Sequence, residues 1–283
     1  MTAMNPAGPN PDVPLIGSPY DLRLGLGEKI GAAGIGAALE SGDWGFIHSF
    51  QTGSGVDGPG VRLVGWLSGC QFQCVYCHNP DTWKVTNGMP VPLTRAVEVV
   101  NQYRHDLRIM KGGLTVSGGE PLMQHHFVLK LCAAVQQLGV HTAVETNGFL
   151  GDRLTDEDLG RIDLVMLGLK AVEPELHRRL TGKDNQPAQA FARRLAALRR
   201  PVWVRFVVVP GWTDDMDEVG RMADFAAGLG NVERVDVLPF HQLGRFKWEK
   251  LGMEYPMRDA QPPARAKVEE VIARFRAVGL TVV

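Results

Sequence analysis

From Val61 onward, short apolar runs rich in β-branched residues alternate with longer amphipathic stretches, and this repeat narrows the possible folds more than any other feature. Strands are expected over residues 61–67, 113–116, 140–144, 164–169, 202–209 and 235–238. Helices are expected over residues 94–110, 124–138, 173–180, 188–199, 214–228 and 263–278. Apolar strands with little alternation, separated by helices, form a parallel sheet covered by helices. The expectation is an α/β fold, a partial (β/α)6 TIM-like barrel, short of the eight units of a complete one. Residues 1–43 are rich in Gly, Pro and Ala and lack sustained periodicity. They read as a flexible N-terminal extension with a short helix near residues 28–40, leaving 44–283 as the core domain.

The chemically unusual residues follow the strands. Three cysteines come after the first, Ser117, Gly118, Gly119 and Glu120 after the second, and Glu145, Thr146 and Asn147 after the third. Lys170 follows the fourth, Pro210, Gly211 and Trp212 the fifth, and His241 the sixth. Sites in parallel βα folds sit at the carboxyl ends of the strands, so these six loops converge on one face. Arg205 alternates with apolar neighbours in VWVRFVVVP, which points it away from them and, in a barrel, into the lumen.

Cys70, Cys74 and Cys77 lie within eight positions, and Cys132 is the only other cysteine. Such packing in a long chain is a ligand set rather than a disulfide framework, and it implies a reducing compartment. Three thiolates hold three irons of a [4Fe–4S] cubane and leave the fourth iron open to a small molecule. Cys132 falls within an apolar predicted helix and reads as a buried structural residue. Structural zinc on the three cysteines with His78 or Cys132 is the alternative that spacing alone leaves open, though zinc gives no reason for the polar loops after the other five strands. With 30 basic and 31 acidic side chains, the chain has no global charge favouring nucleic acid or an anionic membrane. No basic-then-apolar leader opens the sequence, and IGAAGIGAAL is too short and glycine-rich to span a bilayer, so a cytoplasmic protein is expected.

The cysteine loop GCQFQCVYCHNPDTW, with Tyr76 before its last cysteine, resembles the signature of the radical S-adenosylmethionine superfamily. Over residues 45–283, the ordered segments IHSFQTGSGVDGPGVR, CVYCHNPDTW, VSGGEPL, ETNGF, DLVMLGLK, VRFVVVPGWTDD and LPFHQLGRFKW resemble the pyruvate formate-lyase activating enzymes. The resemblance implies that S-adenosylmethionine chelates the open iron and is cleaved reductively to a 5′-deoxyadenosyl radical. That radical would remove a hydrogen atom from a glycine of a glycyl radical enzyme, with flavodoxin or ferredoxin as reductant. A radical enzyme acting on a small molecule and a zinc-stabilised binding module are the rival readings.

By the same resemblance, Cys70, Cys74 and Cys77 hold the cluster, and Tyr76, Cys77 and His78 lie beside S-adenosylmethionine. Gly118, Gly119 and Glu120 would meet its methionyl amine, where absent Cβ atoms admit the ligand. Lys170 would meet its carboxylate, Arg205 would line the lumen, and His241 would contact the adenosyl group. Asp57, in the turn Asp57-Gly58-Pro59-Gly60, would receive the partner's glycine loop, and Trp83, Phe240, Phe246 and Trp248 would flank that face. The family usually carries Asp at positions 145 and 168, holding a monovalent cation beside the substrate. Here Glu145 is longer and Gly168, in Gly168-Leu169-Lys170, has no carboxylate, so a weakened or differently built cation site is expected. No cysteine lies between Cys77 and Gly118, which implies a single cluster and pyruvate formate-lyase or a close relative as partner.

Overall fold

A computed structural model describes residues 32–283. One eight-stranded sheet contains β1 (Trp44–Ser54), β2 (Arg62–Leu67), β3 (Met89–Pro92), β4 (Gly113–Gly118), β5 (His141–Thr146), β6 (Leu164–Leu167), β7 (Val202–Val208) and β8 (Val232–Pro239). Their spatial order is β3-β1-β2-β4-β5-β6-β7-β8. From β2 to β8 every neighbouring pair is parallel, which supplies the six strands of the expected partial barrel. β1 and β3 extend the β2 edge as antiparallel strands.

The helices are α1 (Ala32–Ser41), α2 (Leu93–Ile109), α3 (His125–Gln137), α4 (Asp156–Gly160), α5 (Pro174–Thr181), α6 (Gln186–Ala197), α7 (Met216–Leu229), α8 (Arg245–Lys250) and α9 (Arg265–Ala277). The residues expected near the N-terminal helix divide at Ala32: those before it lie outside the described residues, and α1 packs on β1 and α3 with Ala38 buried. Among the described residues, no helix is long and apolar enough to cross a membrane. The apolar faces of α2, α3, α6, α7 and α9 share one core with the outward faces of the strands, with Phe127, Val128, Leu195, Met222 and Phe275 almost fully buried.

Strand register defines the opposite, inward face. Trp66 pairs with Ser117, Thr115 with Ala143, Glu145 with Met166 and Arg205 with Asp236. Side chains alternate across a strand, so these residues line the lumen in layers. A buried apolar layer of Ala143, Leu164, Met166 and Trp203 fills its middle. The sheet is curled: Asp57, just before β2, lies 3.1 Å from Arg205 on β7, whereas four flat strand spacings would separate β2 from β7 by about 19 Å.

The turn carrying Asp57 is held from beneath. Arg62 is fully buried and donates to Thr115 Oγ1 at 2.9 Å, Leu114 O at 2.5 Å and Pro59 O at 3.2 Å. Thr115 Oγ1 in turn donates to Asp57 O at 2.6 Å. Gly60 has a φ of +68°, and a Cβ there would collide with the Lys111 carbonyl, so the turn needs glycine at that position. At the other edge, the C-terminal residues bridge β8 through Val235 and Val282, covering strand groups that would otherwise be exposed.

Candidate active site

The lumen opens at the carboxyl ends of the parallel strands into a cavity of about 480 Å³. Its wall contains Cys70, Cys74 and Cys77 together with Tyr76, His78, Gly118, Gly119, Glu145, Gly168, Lys170, Arg205, His241 and Asp57. Residues nominated from seven separate loops and strands therefore meet around one volume. Glu120 and Leu169 do not reach it with their side chains.

The cysteine loop is anchored at nearly every residue. Gly69 N–H donates to Thr82 O, Cys70 N–H to Trp83 O, Gln73 N–H to Thr181 O and Val75 N–H to Leu180 O, at 2.6–3.1 Å. Phe72 is buried, with edge contacts of 5.5 Å to both Phe149 and His177. Gln71 Nε2 donates to Asn147 Oδ1 at 3.0 Å, joining the loop to the end of β5.

The Glu120 side chain turns away from the cavity wall. It is fully buried, and its carboxylate accepts from Leu122 N–H at 2.9 Å, Thr146 Oγ1 at 2.6 Å and Asn147 N–H at 2.7 Å. Burial raises its pKa against the lowering effect of these donors. It organises the loop after β5. The two glycines before it line the cavity and also serve packing. A Cβ on Gly119 would lie 2.5 Å from Gly69 O, and one on Gly118, at φ +126°, would strike Leu67 O. Their absent side chains let β4 close against the cysteine loop, where Gly119 N–H donates to Leu67 O and Glu120 N–H to Gly69 O.

β6 ends at Leu167, three residues before Lys170, because Leu169 N–H turns back to Leu167 O. Leu169 then buries its side chain in the core, while Lys170 lines the cavity. Burial opposes the charge of Lys170, but attraction to Tyr76, Cys74 and Glu145 outweighs it and raises its pKa. Arg205 Nη1 bridges Glu145 Oε2 at 2.9 Å and Asp57 Oδ1 at 3.1 Å, and Ser117 Oγ also donates to Glu145 at 2.6 Å. Attraction to Glu145, and then to Asp57, raises the Arg205 pKa despite burial.

His78 and His241 meet edge to face at 4.0 Å. Burial, with His241 and Lys247 nearby, lowers the pKa of His78 to about 4, so its imidazole is neutral at pH 7. His78 Nε2 and Arg205 Nε are buried without hydrogen-bond partners among the described residues, and both residues line the cavity, where a bound polar molecule would satisfy them.

α8 clamps the outer side of the cysteine loop, a feature absent from the sequence reading. Lys247 Nζ reaches Asn79 Oδ1 at 2.7 Å and Asp81 Oδ2 at 3.0 Å, while Trp248 Nε1 donates to Cys77 O at 2.9 Å. Trp248 and Phe240 are consequently buried, and Trp83 packs on Trp248 at 5.2 Å. Of the four aromatics expected to flank the open face, Phe246 alone is strongly exposed, at 60%.

The donor set suits an iron–sulfur cluster. Burial, reinforced by Cys74 and Glu120, raises the Cys70 pKa; burial also raises that of Cys74, and burial with Cys74 pushes Cys77 up to about 12. Buried thiols of this kind ionise against the positive charge of bound iron. Cys132 sits on α3, fully buried in the helix–sheet core and away from the cavity wall, so three thiols and no fourth face the cavity. An open α/β barrel with three thiols in its mouth defines an enzyme built to hold a cluster with one iron free.

The comparisons agree with that class. The model of the Radical SAM superfamily matches residues 66–225. Pyruvate formate-lyase 1-activating enzyme from Escherichia coli strain K12 is 42% identical over 229 residues, covering 80% of this chain and 93% of the relative. Pyruvate formate-lyase-activating enzyme from Staphylococcus aureus strain USA300 is 41% identical over 241 residues, covering 83% and 95%. Among solved structures, a domain of pyruvate-formate lyase-activating enzyme from Bacteroides vulgatus matches with a TM-score of 0.52 at 24% identity, over 61% of this chain and 98% of that one. Streptococcus suis SuiB bound to precursor peptide SuiA gives 0.59 at 18% identity, over 80% and 48%. These two likenesses show the fold. The chain belongs to the Radical SAM superfamily, whose members use a [4Fe–4S] cluster and S-adenosylmethionine, and within it to the pyruvate formate-lyase-activating enzymes.

Proposed function

We propose that this enzyme installs the radical of a glycyl radical enzyme, pyruvate formate-lyase or a close relative, by reductive cleavage of S-adenosylmethionine. The observation that carries this reading is the opening of three thiols, without a fourth, onto the same cavity as Lys170, Arg205 and His241. Bound to Cys70, Cys74 and Cys77, the cluster supplies an electron and an open iron for S-adenosylmethionine.

The chain's own residues orient and seal. Lys170 offers an ammonium to the substrate carboxylate, and the His78–His241 pair forms a wall for its adenosyl end. The Glu145–Arg205–Asp57 chain of charges lines the cavity next to the buried apolar layer of Met166 and Trp203. Water is thereby kept from a reactive species, and the partner glycine must enter from the open side. In this reading Asp57, in the cavity wall, meets that glycine's backbone, and exposed Phe246 and Leu243, in and just before α8, contact the partner. A small flavodoxin or ferredoxin in the cytoplasm is the fitting electron donor, since the thiols need a reducing setting.

The test combines the cluster-loaded protein, S-adenosylmethionine, a reductant and pyruvate formate-lyase under anaerobic conditions. A glycyl-radical doublet on the lyase, formed with 5′-deoxyadenosine and absent when any component is omitted, is the expected result. Formation of 5′-deoxyadenosine with consumption of an added metabolite and no partner radical would overturn it in favour of small-molecule chemistry.

A further inference from the structure

We propose that the Lys170 ammonium replaces the monovalent cation implied beside the substrate carboxylate, so that this enzyme binds S-adenosylmethionine without potassium or sodium. The inference rests on the proposed S-adenosylmethionine site. Its origin is a disagreement between the residues present and a cation site.

Three observations converge. Gly168 supplies no carboxylate, and a Cβ built there would lie 3.1 Å from Lys170 Nζ, so the ammonium occupies the space into which a side chain at 168 would project. The other acidic position, Glu145, is already committed to Arg205 at 2.9 Å and to the Ser117 hydroxyl at 2.6 Å. The Thr146 carbonyl accepts Gly168 N–H at 2.8 Å and lies 3.6 Å from the projected Cβ. A hard monovalent cation needs several oxygen ligands and a net negative surrounding. Here the Lys170 ammonium and the Arg205 guanidinium balance the Glu145 and Asp57 carboxylates in one cavity wall, so an added cation meets no net negative charge.

The absence of a side chain at Gly168 and the placement of Lys170 Nζ beside it therefore belong to one arrangement. The positive charge that holds a carboxylate is covalently attached, and the substrate need not recruit it from solution.

Two measurements on the full-length, cluster-loaded protein separate this inference from the function on which it rests. In the first, thallium(I) is titrated in tetramethylammonium chloride and followed by thallium-205 resonance. No saturable site is expected, and a saturable site abolished by Glu145→Gln would overturn the inference whether or not S-adenosylmethionine binds. In the second, the Kd for S-adenosylmethionine is measured by equilibrium dialysis in potassium, sodium and tetramethylammonium chloride at equal ionic strength. Values agreeing within about twofold are expected, and tightening of about fivefold or more in potassium would overturn it. Lys170→Ala should weaken binding about tenfold or more, with part of the loss recovered by added ammonium. Failure of ammonium to recover any binding, in a variant that retains its cluster absorbance, would overturn the role given to Lys170. Absence of binding in every salt would count against the proposed function, leaving the thallium titration to decide this inference.

Discussion

Cys70→Ala, Cys74→Ala and Cys77→Ala will each reduce cleavage of S-adenosylmethionine to background, whereas Cys132→Ala will retain it. The three cavity thiols are presented by one loop whose backbone is pinned to Thr82, Trp83, Leu180 and Thr181, so no neighbouring group can move in to replace a lost ligand. Cys132 cannot substitute, because α3 holds it fully buried on the outer side of the sheet. Removing its sulfur leaves a small core cavity, costing about 1–2 kcal/mol without touching the site. Iron content, 5′-deoxyadenosine yield and thermal unfolding of all four variants check this. Full cleavage by any one of the first three would remove the cluster assignment. Loss of iron in Cys132→Ala would mean that the ligand set is wrong.

Gly119→Ala is expected to lower activity by about a hundredfold or more, although the substitution adds only a methyl group at a position with no reactive atom. The new Cβ would sit 2.5 Å from Gly69 O and 3.2 Å from the Cys70 Cβ. Backbone, unlike the end of a flexible side chain, cannot yield cheaply, and Gly69 is fixed on both sides by Thr82 O and Glu120 N–H. Overpacking of this kind costs about 1–3 kcal/mol, and here the strain falls on the loop that must hold a cluster to within fractions of an ångström. Gly228→Ala on α7 is the control: nothing lies within 4 Å of its projected Cβ. It should keep full iron and activity and gain about 0.4–1 kcal/mol from reduced backbone freedom. A Gly119→Ala protein with a full cluster and wild-type turnover would contradict the interlock between β4 and the cysteine loop.

What the sequence disclosed follows from which interactions are local. The six parallel strands announce themselves as β-branched runs, and the strand-end positions of the cysteines, Glu145, Lys170 and His241 place them together because all parallel strands expose the same end. Arg205 is legible for a similar reason, since a single charge alternating with apolar residues has one available face. β1 was hidden because Gly45, Ser49, Gly53 and Ser54 interrupt its pattern and it is paired antiparallel, outside the βα repeat. α8 is only six residues long, and its grip on the cysteine loop joins Lys247 to Asp81 across 166 positions, with no local signal. Glycine motifs are only partly legible. A missing Cβ marks close approach, and at Gly118 and Gly119, which also line the cavity, the coordinates show the backbone of β2 and the cysteine loop on the Cβ side. The ties of the Glu120 carboxylate to Thr146 and Asn147 likewise have no local signal.

The central claim is that three thiols hold a cluster whose remaining iron receives S-adenosylmethionine. Electron paramagnetic resonance of the anaerobically reconstituted, reduced protein, recorded with and without S-adenosylmethionine, tests it most directly. A [4Fe–4S]⁺ signal that shifts when S-adenosylmethionine is added is the result this account predicts. A protein that takes up stoichiometric zinc and forms no cluster, or a cluster signal unaltered by S-adenosylmethionine, would contradict it.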